Sequence, residues 1–426
     1  MKVKSAFNFN NITPYILISF ISFLSAYYLL YFKPVVYSII LCEDNWIEYG
    51  TAVFYLIAGL LLSIVSFRYG NRSQKIIWIL LALTAFFIAG EEISWGRRII
   101  KFSIPYYLKK INYQNEFSIH NIDSFYLIKS KLYYILGYSI LLWSIFSIII
   151  SILLIKLKEW FLKVGLPIIP IKLIPIFLLV PYFFLLFPKI LSDELGEFFL
   201  GLATFLWVLN LLFYFIWHNN LHWSKNFIFI ILMIAFTSII TGLLTHFLSR
   251  PPSKSHLNNA STRYPLYGMY NQSIELYKYL YSIHEYFDSE MVSNYAQVLL
   301  NTGKQNEAHN IIKEALPKLE FMNVPTSEQV VHLRNIANIY LLIGQTEKGN
   351  QKFMEAIKID NQNFNSLLDP NDKATTLWSI SKTYQAKGDL VKAIEMATKA
   401  KSEATSQHLK VYIQWWIDKM NEERNN

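Results

Sequence analysis

Acidic residues in the first 249 positions are the groups whose type and spacing could do chemistry. Eleven acids occur there, and ten of them flank long apolar segments. Alternating membrane-spanning segments would bring these ten to one membrane face. Carboxylates near a bilayer are costly unless they are paired, hydrated or bound to a cation, so their concentration predicts a polar site. The ten residues are Glu43, Asp44, Glu48, Glu91, Glu92, Glu116, Asp123, Asp193, Glu194 and Glu197.

The strongest segment is GEEISWGRR, residues 90–98, in which an apolar run ends in two carboxylates, a hydroxyl and two guanidinium groups. On a continuing helix Glu91, Ser94 and Arg98 would share one face, because they fall at i, i+3 and i+7. Negative charge is disfavoured at a helix C-terminus, so the paired glutamates need another reason for their position. Ion pairing with the neighbouring arginines is the structural explanation. A bound metal or a catalytic carboxylate is the functional alternative.

Two hypotheses describe the chemistry of this site. In the first, a divalent cation is held by three protein ligands, which are Glu91 or Glu92, His120, and Glu194 or Glu197, and an open position generates a nucleophilic hydroxide. In the second, a glutamate acts as general base without metal and Arg98 stabilises a phosphate or a developing oxyanion. Both predict a lipid headgroup or a lipid-linked precursor as substrate. The predicted catalytic residues are Glu91, Glu92, Arg98 and His120, and the predicted metal ligands are Glu92, His120, Glu194 and Glu197.

Several acids also have a simpler explanation. Glu43, Asp44, Glu116 and Asp123 can be solvated loop charges, and an acid such as Asp193 at a helix start interacts favourably with the helix dipole. The histidines of HNNLH, residues 218–222, have the i, i+4 spacing of a metal clamp. They lie in a connection on the opposite face, between two tryptophans, which is typical of interfacial residues.

The architecture follows from the apolar segments. Roughly 20 apolar residues cross the hydrocarbon core, and seven segments are long enough. The sequence therefore predicts an all-α fold with about seven transmembrane helices, followed by an α-helical repeat solenoid. An odd number places the two termini on opposite faces, and the C-terminal part on the face with the acids. The seven segments are 13–32, 50–68, 76–91, 131–155, 167–188, 194–217 and 225–248.

Charge and composition divide the chain in two. The whole chain is 53% hydrophobic and carries a net charge of +9. Residues 1–249 contribute +8 of this charge and the remainder +1. The face that holds the N-terminus has ten basic residues, and the opposite face has nine. Seven of those nine come from the long connection 92–131. This distribution favours a cytoplasmic N-terminus and an extracytoplasmic C-terminal part.

The sequence after residue 249 changes character. SRPPSKSHLNNASTRYP contains two prolines that end a helix and polar residues that pack no core, so residues 250–265 are predicted as a linker. Residues 266–426 are predicted as a repeat domain that ends in an amphipathic capping helix. Three segments share small residues at offsets of +7, +5 and +7, beginning at Ala296, Ala337 and Ser381.

This repeat pattern resembles the tetratricopeptide helix–turn–helix repeat, over residues 265–402. Gly303, Gly344 and Gly388 stand at the expected turns, although they are spaced by 41 and 44 residues rather than the 34 of the family. The resemblance implies a concave surface that binds a protein or peptide partner.

The acidic segments together resemble an uncharacterised group of bacterial polytopic membrane proteins. That group carries EDGxxE-like, GEEISWGQR-like and NxQxExxxHN-like segments in this order, and the resemblance covers residues 43–123. The sequence departs from the pattern at Asn45, where the group has Gly, and at Arg97, where it has Gln. The resemblance implies a bacterial inner-membrane protein and supplies no reaction. The matching residues are Glu43, Asp44, Glu48, Glu91, Glu92, Ser94, Trp95, Gly96, Arg98, Asn112, Gln114, Glu116, His120 and Asn121.

Two functions remain open from the sequence. One is a membrane enzyme with a partner-binding repeat domain, and the other is a non-enzymatic membrane-anchored scaffold for an envelope complex. The bilayer and a protein or peptide are the expected partners, and no nucleic-acid motif is present. The single cysteine, Cys42, excludes an internal disulfide and a multi-cysteine metal site.

Overall fold

A computed structural model describes residues 9–42, 45–100, 103–105, 123–216, 223–248, 254–283 and 286–425. Every regular element in these ranges is a helix, which confirms the predicted all-α class. The chain forms two compact units, one ending at Arg263 and the other beginning at Tyr264.

The first unit is built from eleven described α-helices, with short irregular segments between some of them. These helices are α1 (Phe9–Phe32), α2 (Pro34–Ile40), α3 (Trp46–Tyr69), α4 (Arg72–Glu92), α5 (Arg97–Ile100), α6 (Asp123–Leu153), α7 (Ile155–Val164), α8 (Ile174–Pro181), α9 (Ser192–Ile216), α10 (Trp223–Leu248) and α11 (Lys254–Arg263).

Five described helices are long and apolar enough to cross a membrane, namely α1, α3, α4, α6 and α9. Two shorter apolar helical stretches, Ile171–Leu186 and Met233–Phe247, lie where the fifth and seventh spans were predicted. The protein is therefore of the membrane type. The count of seven spans stays a prediction.

Helix α3 lies at the centre of the first unit, where α4, α9 and α10 pack around it. Glycines permit the closest approaches. A Cβ atom added at Gly50 would lie 2.8 Å from the Phe198 ring of α9, and one at Gly59 would lie 2.9 Å from the Phe86 ring of α4. Small residues at such positions let membrane helices pack at short distance.

The fifth apolar segment differs from the continuous helix that was expected. An extended stretch, 166–170, leads into a 3₁₀ turn at Ile171–Leu173, then into α8 and a π-helical turn at Tyr182–Leu186. Four prolines at positions 167, 170, 175 and 181 explain the interruption, because each lacks the N–H that a continuous helix requires.

The segment predicted as a linker also differs in the structure from what was expected. Residues 254–263 form α11, which packs against α2, and Leu257 and Ala260 are fully buried. The expectation that this segment packs no core is wrong. Its two apolar residues are spaced at i, i+3 and lie on one face of the helix. The polar Asn258 and Ser261 are buried as well.

The second unit is a series of antiparallel helices. Gly303, Gly344 and Gly388 connect successive helices with φ of +76°, +77° and +87°. These left-handed turns are readily adopted by glycine. The alanines of the repeat frame are fully buried between the helices. The helices are α12 (Tyr270–Ser282), α13 (Ser289–Asn301), α14 (Gln305–Glu320), α15 (Gln329–Leu342), α16 (Thr346–Ser366), α17 (Pro370–Ala386), α18 (Leu390–Glu403) and α19 (Gln407–Asn425).

Helix α19 packs on the last hairpin. Its Ile413, Ile417 and Met420 form one core cluster with Leu377 of α17 and Ala397 of α18. Membership of the tetratricopeptide family stays a prediction.

Candidate functional site

The GEEISWGRR segment is interrupted by a left-handed turn instead of continuing as one helix. Helix α4 ends at Glu92, and Ser94, Trp95 and Gly96 follow with φ of +48°, +53° and +76°. The prediction that Glu91, Ser94 and Arg98 share one helical face is therefore wrong, because the turn breaks the helical register. Left-handed backbone costs about 1–2 kcal/mol for each residue other than glycine, so the fold maintains a strained turn here.

Trp95 folds back onto the last turn of α4. Its indole Nε1 donates a hydrogen bond of 2.6 Å to Oε1 of Glu91, and its ring meets that of Phe87 edge to face. A Cβ atom at Gly90 would lie 3.0 Å from the indole, so the absence of a side chain there makes room for the ring. The turn thus buries Glu91 under an indole that binds its carboxylate.

Ser94 is the second buried polar group of this turn. Only 1% of its surface is exposed, and its Oγ has no hydrogen-bond partner among the residues that the structure describes. A buried hydroxyl in a strained turn is the type of group that functional sites contain.

Glu92 of α4 and Glu197 of α9 both act electrostatically on the same buried tyrosine, Tyr55. The Tyr55 hydroxyl of α3 interacts electrostatically with both carboxylates. The Tyr55 side chain packs with Ala85 and Ala89, which fixes it against α4. Three helices therefore converge on two of the predicted site residues.

Tyr133 of α6 brings the acids of α9 together. Its hydroxyl donates a hydrogen bond to Glu197 and interacts electrostatically with Asp193 and Glu194. The Tyr133 ring stacks on Phe184 with centroids 5.1 Å apart. Neither tyrosine was predicted as a site residue, since isolated tyrosines in apolar segments give no signal in a sequence.

Phe184 determines how closely α9 approaches this tyrosine. A Cβ atom at Gly196 would lie 2.4 Å from the Phe184 ring, so only glycine fits. The glycine of DELGE therefore has a steric role between the acids Glu194 and Glu197.

Two basic groups lie near the same acids. The Lys189 ammonium donates to the carbonyl of Phe184, and burial lowers its pKa while Asp193 acts in the opposite direction. Burial lowers the pKa of His256 in α11 to about 4, and Arg263 adds to this effect while Asp193 opposes it. The sequence analysis missed His256 because it assigned that stretch to a linker.

The remaining predicted residues are only partly described. Glu48 lies in the first turn of α3. Glu43, Asp44, the segment 112–122 with His120, the histidines 218 and 222 and the Arg98 side chain lie outside the described residues. Within the described ranges, no three His, Cys, Asp or Glu side chains form a group that could hold a metal ion. The ligand set of Glu92, His120, Glu194 and Glu197 includes a residue outside those ranges and stays a prediction.

The second unit contains a separate aromatic and cationic cluster. The Lys382 ammonium lies 3.6 Å from the centroid of the Trp378 ring and 5.6 Å from that of Trp416. The indole N–H groups of both tryptophans are buried and have no partner within the described part of the chain. Trp415 on the same helix as Trp416 is 56% exposed.

Burial shifts two pKa values in this cluster. It raises the pKa of Asp360 to about 6, against the opposing effects of a Ser379 hydrogen bond and the Arg334 charge. It lowers the pKa of Lys382 to about 8, and the like charge of Arg334 adds to this shift. The repeat unit thus contains a partly desolvated cation beside unpaired indole donors.

Comparison with known proteins identifies no relative. No protein-family model matches the chain, and no curated protein matches its sequence.

Proposed function

We propose that this integral membrane protein carries out acid–base chemistry on a lipid or lipid-linked substrate, as a hydrolase or transferase, and binds a protein or peptide partner through its repeat unit. The convergence of Glu92 and Glu197 on Tyr55 carries the proposal. Carboxylates gathered at the ends of membrane helices are costly and are functional candidates for that reason. Two of them at one point can divide the roles of general acid and general base.

The surrounding residues support such roles. Tyr133 holds Glu197 in one orientation through its hydrogen bond, and Trp95 does the same for Glu91. Fixed orientation reduces the reorganisation that catalysis requires. In the metal-free form Arg98 stabilises an anionic phosphate. In the alternative, metal-dependent form, His120 with Glu92, Glu194 and Glu197 supplies the ligands of a divalent cation instead of the acid and base.

The test uses purified full-length protein in nanodiscs that contain a total bacterial lipid extract. Lipid products are followed by mass spectrometry, and bound metal is measured on the same sample. We expect a lipid species to be consumed by the wild-type protein and not by Glu92→Gln or Glu197→Gln, while Glu395→Gln, an exposed acid of α18, remains active. Equal turnover by all four proteins would exclude catalysis by these carboxylates.

A membrane-anchored scaffold is the second candidate, and the cluster of Trp378, Lys382 and Trp416 favours it. Tryptophan and cation–aromatic pairs are common where protein partners bind. A photo-crosslinking residue at position 415 in native membranes should then give one discrete adduct that survives Glu92→Gln. The same residue at the exposed position 321 should give none.

The proposed location is a bacterial cytoplasmic membrane with a cytoplasmic N-terminus and an extracytoplasmic repeat unit. The distribution of lysines and arginines supports this orientation. Reporter fusions after each connection and at Asn426 test it, because opposite locations for residue 426 and the connection 92–131 would contradict the shared face.

A further inference from the structure

A non-helical segment, Gly165–Pro170, lies within the membrane unit between α7 and the 3₁₀ turn. Gly165 ends α7 with φ of +98°, and a Cβ atom there would lie 2.8 Å from Cα of Gln74. The segment therefore passes directly against the start of α4.

Indole side chains bind the backbone of this segment. Trp78 Nε1 donates to the Gly165 carbonyl at 3.0 Å, and Trp207 Nε1 donates to the Ile168 carbonyl at 3.2 Å. Trp143 donates in the same way to the Pro167 carbonyl at 3.1 Å. Carbonyls that are not bonded within a helix need other hydrogen-bond partners where the backbone is buried, and the indoles supply them.

The segment does line a cavity, of about 730 Å³. This volume lies within the range of roughly 300–1,000 Å³ typical of small-molecule sites. Apolar and aromatic side chains form much of its wall, including Ile168, Trp207, Leu211 and Phe215.

Three lysines give the cavity a positive charge. Lys158, Lys163 and Lys172 line it, together with one acid, Glu159. Within the described part of the chain none of the three lysines forms an ion pair. The side-chain amide of Asn210 adds a further hydrogen-bond donor, whereas Nε2 of Gln74, also in the wall, already donates to the Leu162 carbonyl at 2.8 Å.

We infer that this cavity binds an amphiphile with an anionic phosphate headgroup. The lysines supply positive charge for the phosphate, and the aromatic wall offers apolar surface to an acyl or isoprenoid chain. A free phosphate would use only the lysines, which is why an amphiphile fits the cavity better. The site is built from other residues than the carboxylates of the proposed function, so either can fail alone.

The experiment measures lipid binding to full-length protein by native mass spectrometry. The probes are phosphatidylglycerol, phosphatidylcholine and inorganic phosphate. The variant Lys158→Gln/Lys163→Gln/Lys172→Gln is compared with Arg72→Gln/Lys75→Gln/Lys156→Gln, which removes equal charge from exposed residues that do not line the cavity.

We expect phosphatidylglycerol to bind more tightly than either other probe. Its affinity should fall roughly fivefold for each cavity lysine removed, the size expected for one basic group near a charged lipid surface, and change little in the control. Equal losses in both triple variants would overturn the inference, as would inorganic phosphate binding as tightly as the lipid.

Leu211→Trp, which fills the apolar wall and retains every lysine, should also weaken lipid binding. Unchanged binding in that variant, with its fold intact by circular dichroism, would likewise contradict an amphiphile.

Discussion

Trp95 and Glu91 are joined by a hydrogen bond of 2.6 Å that runs backwards along the chain, from a left-handed turn to the helix that precedes it. The bond accompanies the left-handed turn at Ser94–Gly96, and Gly90 leaves space for the indole. It explains how a glutamate is accommodated at the C-terminal end of an apolar helix, where the helix dipole disfavours negative charge.

Gly90→Ala should displace the Trp95 ring and weaken this bond. The added Cβ atom would lie 3.0 Å from the indole, and losing the hydrogen bond should cost about 1 kcal/mol of unfolding free energy. Thermal unfolding of the purified protein measures the change. Gly242→Ala in α10 is the matched control, because a Cβ atom there meets nothing within 4 Å. Equal stabilities for the two variants would contradict the role of Gly90.

Gly196→Ala should be more damaging, since its Cβ atom would lie 2.4 Å from the Phe184 ring. Overpacking of this type typically costs about 1–3 kcal/mol. A smaller side chain at position 184 should relieve the steric clash. Phe184→Leu is therefore expected to be destabilising alone and to rescue Gly196→Ala in the double variant. A double-mutant cycle by denaturant unfolding measures this coupling. Additive effects would show that the two side chains do not compete for the same space.

Asp360 predicts a pH dependence in the repeat unit. Its folded-state pKa of about 6 exceeds the ordinary value of 3.8, so the folded state binds more protons than the unfolded state between these values. Stability should therefore fall as the pH rises from about 4 to 6. Asp360→Asn should flatten this fall, as followed by the fluorescence of the nearby tryptophans during urea unfolding. Asp372→Asn, an exposed acid of α17, serves as control and should leave the slope unchanged.

The lowered pKa of Lys382 predicts the opposite pH dependence of stability, at alkaline pH. Its folded-state pKa of about 8 lies below the ordinary value of 10.5, so the unfolded state binds more protons in between. Stability should rise as the pH increases from about 8 to 10. Lys382→Met should abolish this rise, whereas Lys399→Met, on an exposed face of α18, should not. A rise that persists in Lys382→Met would assign it to another group.

The lowered pKa of His256 predicts that the stability of the first unit falls as the pH is lowered into the mildly acidic range. Burial holds its folded-state pKa near 4, below the ordinary 6.5, so the unfolded state takes up the proton first as the pH falls. Stability should therefore increase from about pH 4 to 6.5. His256→Gln should reduce this slope in thermal unfolding of detergent-solubilised protein, and the exposed His309→Gln should have no effect. An identical slope in His256→Gln would exclude the histidine as its source.

Periodicity and composition were sufficient to predict the helical class and the membrane-type segments. The apolar runs of α3, α4 and α9 are long, and their hydrophobicity alone determines that they belong in a bilayer. Gly303, Gly344 and Gly388 were likewise predicted as turn positions, because glycine is the residue that readily adopts positive φ.

Side-chain positions depended on the tertiary structure. The sequence predicts Glu92 and Glu197 on one face, but only the packing of α3 against α4 and α9 shows that both act electrostatically on Tyr55. The left-handed turn at Ser94–Gly96 was not predictable, since local propensity favours a continuing helix, whereas the hydrogen bond from Trp95 to Glu91 stabilises the turn.

The interrupted fifth apolar segment also shows which features follow from the sequence and which from the tertiary structure. Residues 167–188 were predicted as one span from their hydropathy, and the effect of the prolines in this segment was not foreseen. The tertiary structure decided which carbonyls lose their helical partners there. It also decided that these carbonyls accept hydrogen bonds from the indoles of Trp78, Trp143 and Trp207. Apolarity determines where a chain is buried, whereas hydrogen bonds between distant residues determine the geometry it adopts there.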